Sequence, residues 1–110
     1  MWLNTIEDIT RGVKEILHQL SLKMPSSKVI LLGVLPQASL KKAKQLNVLL
    51  KELSDEKTIF WLDMWTEFTN NEGKQRNDLY LVDRLHLNYL GYEVWQKTME
   101  PLLSKLYETN

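Results

Sequence analysis

Stretches in which apolar residues recur every three or four positions alternate along this chain with short, unbroken apolar runs. Over residues 5–22, Ile6, Ile9, Val13, Ile16, Leu17 and Leu20 fall on one face of a helix. Thr5, with Asp8 three places on, supplies a capping-box start, and Glu7 and Asp8 suit the helix's positive end. Pro25 and the Ser26-Ser27 pair end it. The run Val29 to Val34 is apolar on both faces and rich in branched residues, the pattern of a buried parallel strand. A second helix is predicted over 38–54, with Leu40, Ala43, Leu46, Leu50 and Leu53 inward and Lys41, Lys42, Lys44 and Lys51 on its solvated face. Asp55-Glu56-Lys57 turns the chain into a second strand, Ile59 to Met64. Residues 66–83 form the longest irregular stretch, and Asn71 to Asn77 is almost wholly polar. Asn88 caps a last helix whose face is Val94, Trp95, Met99, Leu102, Leu103 and Leu106, with a kink or break expected at Pro101.

Two strands joined by a helix of this length form a βαβ unit, which places the chain in the α/β class with two parallel strands in the order α-β-α-β-α. In such sheets ligands gather at the carboxyl ends of the strands. The loop from Gly33 to Ser39, including Pro36, is therefore a candidate site wall or a plain strand-to-helix turn. Gly33 would let another backbone or a ligand come close. Asn47 lies beside the apolar stripe of its helix, placed to hydrogen-bond a neighbouring loop. Asp63 either caps the turn after the second strand or lines the site, and the cap is favoured. Trp61 and Trp65 read as packing, and His18 as a surface residue. A loop as long as 66–83 is usually functional or mobile, and it would bring Asp83 and His86 to the end of the sheet.

Composition narrows the classes. At 110 residues the chain is one domain at most and small for an α/β enzyme. The net charge is zero and no basic run exceeds two residues, so there is no electrostatic footprint for nucleic acid or an anionic membrane. Without cysteine there is no disulfide framework, thiolate nucleophile or Cys-ligated metal. The start, from Met1 to Asp8, lacks a basic region and a long apolar stretch, so it does not read as a signal peptide, and a cytoplasmic location is favoured. The longest apolar run, Val29 to Leu35, is far shorter than the roughly twenty residues of a membrane span.

The chemistry concentrates in Leu81-Val82-Asp83-Arg84-Leu85-His86-Leu87-Asn88-Tyr89-Leu90-Gly91-Tyr92. One turn of backbone would let Asp83 meet His86. A carboxylate beside an imidazole fixes its tautomer and steadies the imidazolium, the general-base half of a Ser-His-Asp arrangement. Asp-x-x-His followed by an apolar residue, a helix cap and Gly-Tyr resembles the last block of the SGNH (GDSL-type) esterases and lipases. Lys28 to Pro36 is similar to that family's fourth strand and the loop after it. Ala43 to Leu50, with Asn47, resembles the following helix, and Ile59 to Trp65 the fifth strand. The nearest subgroup is the catalytic subunits of intracellular platelet-activating factor acetylhydrolase. The resemblance covers nearly all of the chain but only the C-terminal half of a family domain. It implies a partial, flavodoxin-like three-layer α/β/α fold, Asp83 and His86 as the catalytic acid and base, no cofactor, and an ester, acetyl-ester or lipid substrate. Gly33, Pro36 and Arg84 are the candidates for contact with that substrate.

The same resemblance shows what is missing. The family's Gly-Asp-Ser nucleophile block and Gly-x-Asn-Asp oxyanion block have no counterpart here: none of Gly12, Gly33, Gly73 or Gly91 precedes Asp-Ser or opens Gly-x-Asn. None of the six serines lies in a nucleophile setting, and Ser39 alone falls near a strand end. Arg84 stands where the family commonly has Gly. The chain is thus expected to contribute the acid/base pair and to be inactive alone. With its neighbouring strands missing, the first strand would present an unpaired apolar edge, a template for a protein partner or an oligomer. Two alternatives remain. One is a non-catalytic interaction module that docks on a partner. The other is a metal-assisted site at Asp83 and His86, for which two ligands are too few without a third His or Cys.

Overall fold

In the computed structural model, which describes residues 5–37 and 40–108, Thr5 begins α1 (Ile6–Lys23) by accepting the Asp8 N–H on its hydroxyl at 3.1 Å. The reciprocal half of the capping box is not made: Asp8 turns its carboxylate to Arg11 instead. Leu17 is the buried residue of α1, while Ile16, expected inward, is 60% exposed. α2 (Leu40–Lys51) buries Ala43, Leu46 and Leu50. It ends before the predicted residue 54, because Leu53 and Ser54 turn back onto the carbonyls of Leu50 and Lys51. The predicted helix start at 38, and Ser39, lie outside the described residues, as does the chain's start at 1–4.

β1 (Val29–Leu32) and β2 (Ile59–Leu62) pair in parallel, with Val29 opposite Ile59 and Leu32 opposite Leu62. Both stop short of the predicted ends, since Val34 turns to Asn47 and Asp63 opens a turn. Side chains alternate across a strand. Val29 and Ile59 line a cavity of about 80 Å³ with Leu17 and Leu20 of α1. Gly33 faces Trp61 and Asn47 of α2, and α1 packs on α2. Ile30 instead faces Leu103 and Leu106, and Leu32 and Leu62 pack on the same buried cluster as Val94 and Trp95. These four belong to α3 (Tyr89–Glu108), so helices cover both faces of the sheet in the expected three layers. The strand residues are half-buried rather than buried. A two-stranded sheet has two edges for two strands, and neither strand is enclosed by the other.

The stretch 66–83, expected to be irregular, is where the core sits. Two single-turn 3-10 helices, Thr66–Phe68 and Asn77–Leu79, bring Phe68, Leu79 and Tyr80 together with Met64 and Leu87. Phe68 and Tyr80 meet edge to face, ring centroids 6.4 Å apart. Of the kink or break expected at Pro101 the break is not made: α3 runs through it to Glu108. Pro101 lies on the exposed side of the helix, where the carbonyl one turn back can bond water. Leu103, expected on the inner face, is 46% exposed.

Candidate active site

Asp83 and His86 meet as their spacing predicts. The loop 80–87 closes at its neck through a bridge between Tyr80 and Leu87 and a bond from Leu81 N–H to the His86 carbonyl at 2.8 Å. Arg84 N–H donates to Leu81 O at 2.9 Å, and Arg84 takes a left-handed φ of 58°. That turn folds the Asp83 carboxylate back on the chain. Its Oδ1 accepts the N–H groups of Leu85 at 2.9 Å and His86 at 3.1 Å, and its Oδ2 lies 2.6 Å from His86 Nδ1. The bond to His86, followed by those to the Leu85 and His86 amides, pulls the Asp83 carboxyl down to about 2.

An ionised carboxylate can only accept, so in the neutral imidazole Nδ1 carries the proton and Nε2 the lone pair. The His86 side chain is 71% exposed, and Nε2 has no partner among the described residues. No serine hydroxyl of the described residues bonds to it, and Ser21 and Ser54 donate theirs to the carbonyls of His18 and Lys51. No group of three or more His, Cys, Asp or Glu side chains gathers among the described residues. Apolar side chains stand beside the pair, next to the exposed Arg84: Val82 is fully exposed, Leu81 and Leu85 are about half exposed, and Tyr89 is 77% exposed.

The remaining candidates take definite places. Gly33 is buried against the Trp61 ring, and a Cβ there would lie 3.0 Å from Trp61 Cζ2. Pro36 is buried, and its carbonyl accepts the Tyr80 hydroxyl at 2.8 Å and Gln75 Nε2 at 3.3 Å. Burial pushes the Tyr80 hydroxyl up from its ordinary value, although Gln75 bonds to it. Arg84 is exposed at the rim, and its carbonyl accepts Gln75 Nε2 at 2.8 Å. Asp63 caps the turn after β2, taking the Trp65 N–H at 2.7 Å and the Thr66 hydroxyl at 2.5 Å. Sequence reasoning missed Gln75 and Tyr80. Gln75 lies in a polar run that reads as turn chemistry, and its partners are 9 and 39 residues away. Tyr80, joined to Leu79 after that run, carried the one local hint of burial.

Asn88 completes the site's support. Its Oδ1 accepts Gly91 N–H at 2.9 Å to cap α3, and its Nδ2 donates to the Asp78 and Tyr80 carbonyls at 2.8 and 3.2 Å. One residue thus starts the helix and fixes the neck of the loop that carries Asp83.

No family model matches the chain. In sequence it is 30% identical to human platelet-activating factor acetylhydrolase IB subunit alpha1 (Homo sapiens), over 94% of this chain and 47% of that protein. It is also 30% identical to the alpha2 subunit of Rattus norvegicus, over 96% of this chain and 48% of that protein. The chain spans about half the length of the curated relatives it matches. Solved structures share its fold, among them these two. A chain described as a platelet activating factor from Streptococcus pneumonia superposes with a TM-score of 0.79 at 19% identity, over 89% of this chain and 51% of that one. The esterase domain of the ORF1 protein from the zebrafish ZfL2-1 retrotransposon superposes with a TM-score of 0.78 at 20% identity, over 93% of this chain and 65% of that one.

Proposed function

We propose that this chain, similar in sequence to the platelet-activating factor acetylhydrolase IB alpha subunits and in fold to an esterase domain, supplies the C-terminal half of an SGNH-type serine ester hydrolase, with Asp83 and His86 as its acid and base. The observation that carries this reading is the 2.6 Å contact between Asp83 Oδ2 and His86 Nδ1, with Nε2 left open to solvent. A serine hydroxyl brought to Nε2 would give up its proton there as its oxygen attacked an ester carbonyl. Asp83 would stabilise the imidazolium, and His86 would then return the proton to the leaving alcohol. Water would repeat the cycle on the acyl-serine. The serine and the oxyanion donors come from outside this chain, and a carboxylic or acetyl ester, free or in a lipid, is the substrate class. The exposed Val82, Leu85 and Tyr89 give the acyl group an apolar rim.

The test is release of nitrophenol from a short-chain nitrophenyl ester. The purified chain is assayed alone and mixed with the remaining half of a human alpha1 subunit, each with and without His86→Ala. Turnover in the mixture, lost by about 10³-fold or more in His86→Ala, is the expected result. Absence of turnover in every mixture overturns the reading.

A second reading, a non-catalytic module that docks on a partner, is favoured by the sheet's edges. β2's outer edge is covered by its own turn. Asp55 Oδ1 takes the Ile59 N–H, Glu56 Oε2 takes the Trp61 N–H, and Ile59 O accepts both turn amides. On β1, Val29 and Gly33 direct their N–H groups to β2, so alternation turns those of Ile30 and Leu32 outward, where no described residue takes them. This reading predicts that a partner binds Asp83→Ala and His86→Ala chains as well as the unaltered one. Loss of binding in either variant, measured by titration calorimetry, counts against it.

A further inference from the structure

We propose that Gln75 is a positioning residue for Asp83 and His86, latching the turn that carries them to the loop after β1. The proposal rests on the reading of that pair as acid and base. Three observations meet at this side chain. Its Nε2 donates to Arg84 O at 2.8 Å and to Pro36 O at 3.3 Å, so one amide ties the tip of the 80–87 loop to the carboxyl end of the sheet. The carbonyl gripped at the tip belongs to Arg84, whose left-handed φ of 58° an ordinary side chain avoids. Gln75 is itself held, bridged to Thr69 and followed by Arg76, whose N–H donates to the carbonyl of the fully buried Phe68 at 2.9 Å.

The latch supplies a constraint that the pair lacks. The bonds of Asp83 to Leu85 and His86 hold the two side chains together only while Arg84 keeps its left-handed backbone, which those bonds do not themselves secure. They leave open how the turn is aimed at the strand end, where a reacting ester would lie. The contacts between Tyr80 and Leu87, and between Leu81 and His86, close the neck, about which the exposed tip can hinge. A carboxamide nitrogen with two hydrogens satisfies two carbonyls at once. A glutamate of the same shape offers them acceptors, and a methionine of similar length offers no donor.

The experiment compares Gln75→Met and Gln75→Glu with the unaltered chain. NMR follows the titration of the Asp83 carboxyl and the ¹⁵N shifts of the His86 ring, which report its tautomer. As the tip loosens, the Asp83 midpoint rises by about one pH unit toward the ordinary carboxylate value, and the Nε2–H tautomer gains population. The helical circular dichroism stays unchanged. Tyr80→Phe removes the other bond to Pro36 O and the contact of its hydroxyl with Gln75 but keeps the Gln75 bond to Arg84 O, and it moves both readouts less than the Gln75 variants do. Folded Gln75 variants with an unaltered midpoint and tautomer overturn the proposal, as does a Tyr80→Phe chain that shifts as far. If one Gln75 variant fails to fold, the other decides. Neither readout needs turnover, so a chain that hydrolyses nothing in any mixture but shows these shifts separates the failure of the esterase reading from that of the latch.

Discussion

The Asn47 side chain takes both main-chain polar groups of Val34: its Oδ1 accepts the Val34 N–H at 2.7 Å and its Nδ2 donates to the Val34 carbonyl at 3.1 Å. A residue in the middle of α2 thereby stands in for a neighbouring strand just where β1 leaves the sheet. The pair fixes the direction in which the chain sets out toward Pro36, the anchor of Tyr80 and Gln75. Asn47→Leu keeps much of the volume but strands a part-buried N–H and C=O. It is expected to lower stability by about 1–3 kcal/mol, read from the urea midpoint with an unchanged slope. Asn47→Asp can keep the bond to Val34 N–H but not the one to its carbonyl, and its midpoint should fall between the two.

Arg84 holds its place at the expense of backbone strain. At φ 58° it adopts a conformation that costs an L-residue about 1–2 kcal/mol and costs glycine almost nothing. Arg84→Gly should therefore raise stability by about 0.5–1 kcal/mol, after allowing for the larger unfolded-state entropy of glycine. Arg84→Ala, which loses the guanidinium and keeps the strain, should leave the urea midpoint nearly unchanged. Equal effects in the two variants would assign the change to the side chain rather than to φ.

Periodicity was enough to read the five main elements and their βαβ unit; the three layers came from the family resemblance. α1, β1, α2, β2 and α3 each sit within a few residues of where the apolar spacing puts them, and the Asn47, Asp63 and Asn88 side chains make bonds of the kinds expected. The pair Asp83 and His86 was legible because its geometry is local, one turn of backbone. What the pattern does not carry is the role of 66–83. Phe68, Leu79 and Tyr80 are separated by a polar run, so no window shows them as one face, yet they are the centre of the core. Gln75 was invisible for a related reason: two carbonyls distant in sequence define its place, and neither leaves a trace in the residues around it. Ile16 and Leu103 fit the helical face by spacing but are 60% and 46% exposed, a difference that spacing alone does not carry.

Acid should weaken the fold through carboxylates that are better partnered when folded. Asp83 titrates at about 2 against an ordinary 3.8, held down first by His86 and then by the Leu85 and His86 amides. Asp55 is held lower still by the amides of Ile59, Lys57 and Thr58. Both folded values are depressed, so the unfolded chain binds more protons in this range. Their contribution is complete above the unfolded value and is lost as pH falls through the folded ones. The urea midpoint should accordingly be flat from pH 7 to about 5 and fall between about 4 and 2. Asp83→Asn should make that fall shallower. Asp55→Ala should lower the midpoint at pH 7 as well, since it uncovers the outer edge of β2. A fall of the same depth in Asp83→Asn would mean that Asp83 has the same pKa folded and unfolded.

Gly91 offers a test of how α3 is joined to the site. Its N–H is the one Asn88 caps, and the helix backbone here lies so close to the 3-10 turn Asn77–Leu79 that a Cβ would collide with the Leu79 carbonyl and press on Leu87. Asn88 N–H donates to that same carbonyl at 3.0 Å, so it cannot swing away without giving up the bond. Since the obstacle is backbone rather than a flexible side chain, Gly91→Ala must push the first turn of α3 off Leu79, opening the contact that buries Leu79 and Leu87. Alanine's better helix propensity offsets about 1 kcal/mol, but overpacking against fixed backbone should cost about 3 kcal/mol or more. The variant should melt well below the unaltered chain. At a temperature where it is still folded, amide exchange at Leu87 and Asn88 should rise before exchange in β1 and β2 does. An alanine variant as stable as the unaltered chain would mean that α3 does not seat on Leu79 in solution, and the neck of the Asp83 loop would then need another support.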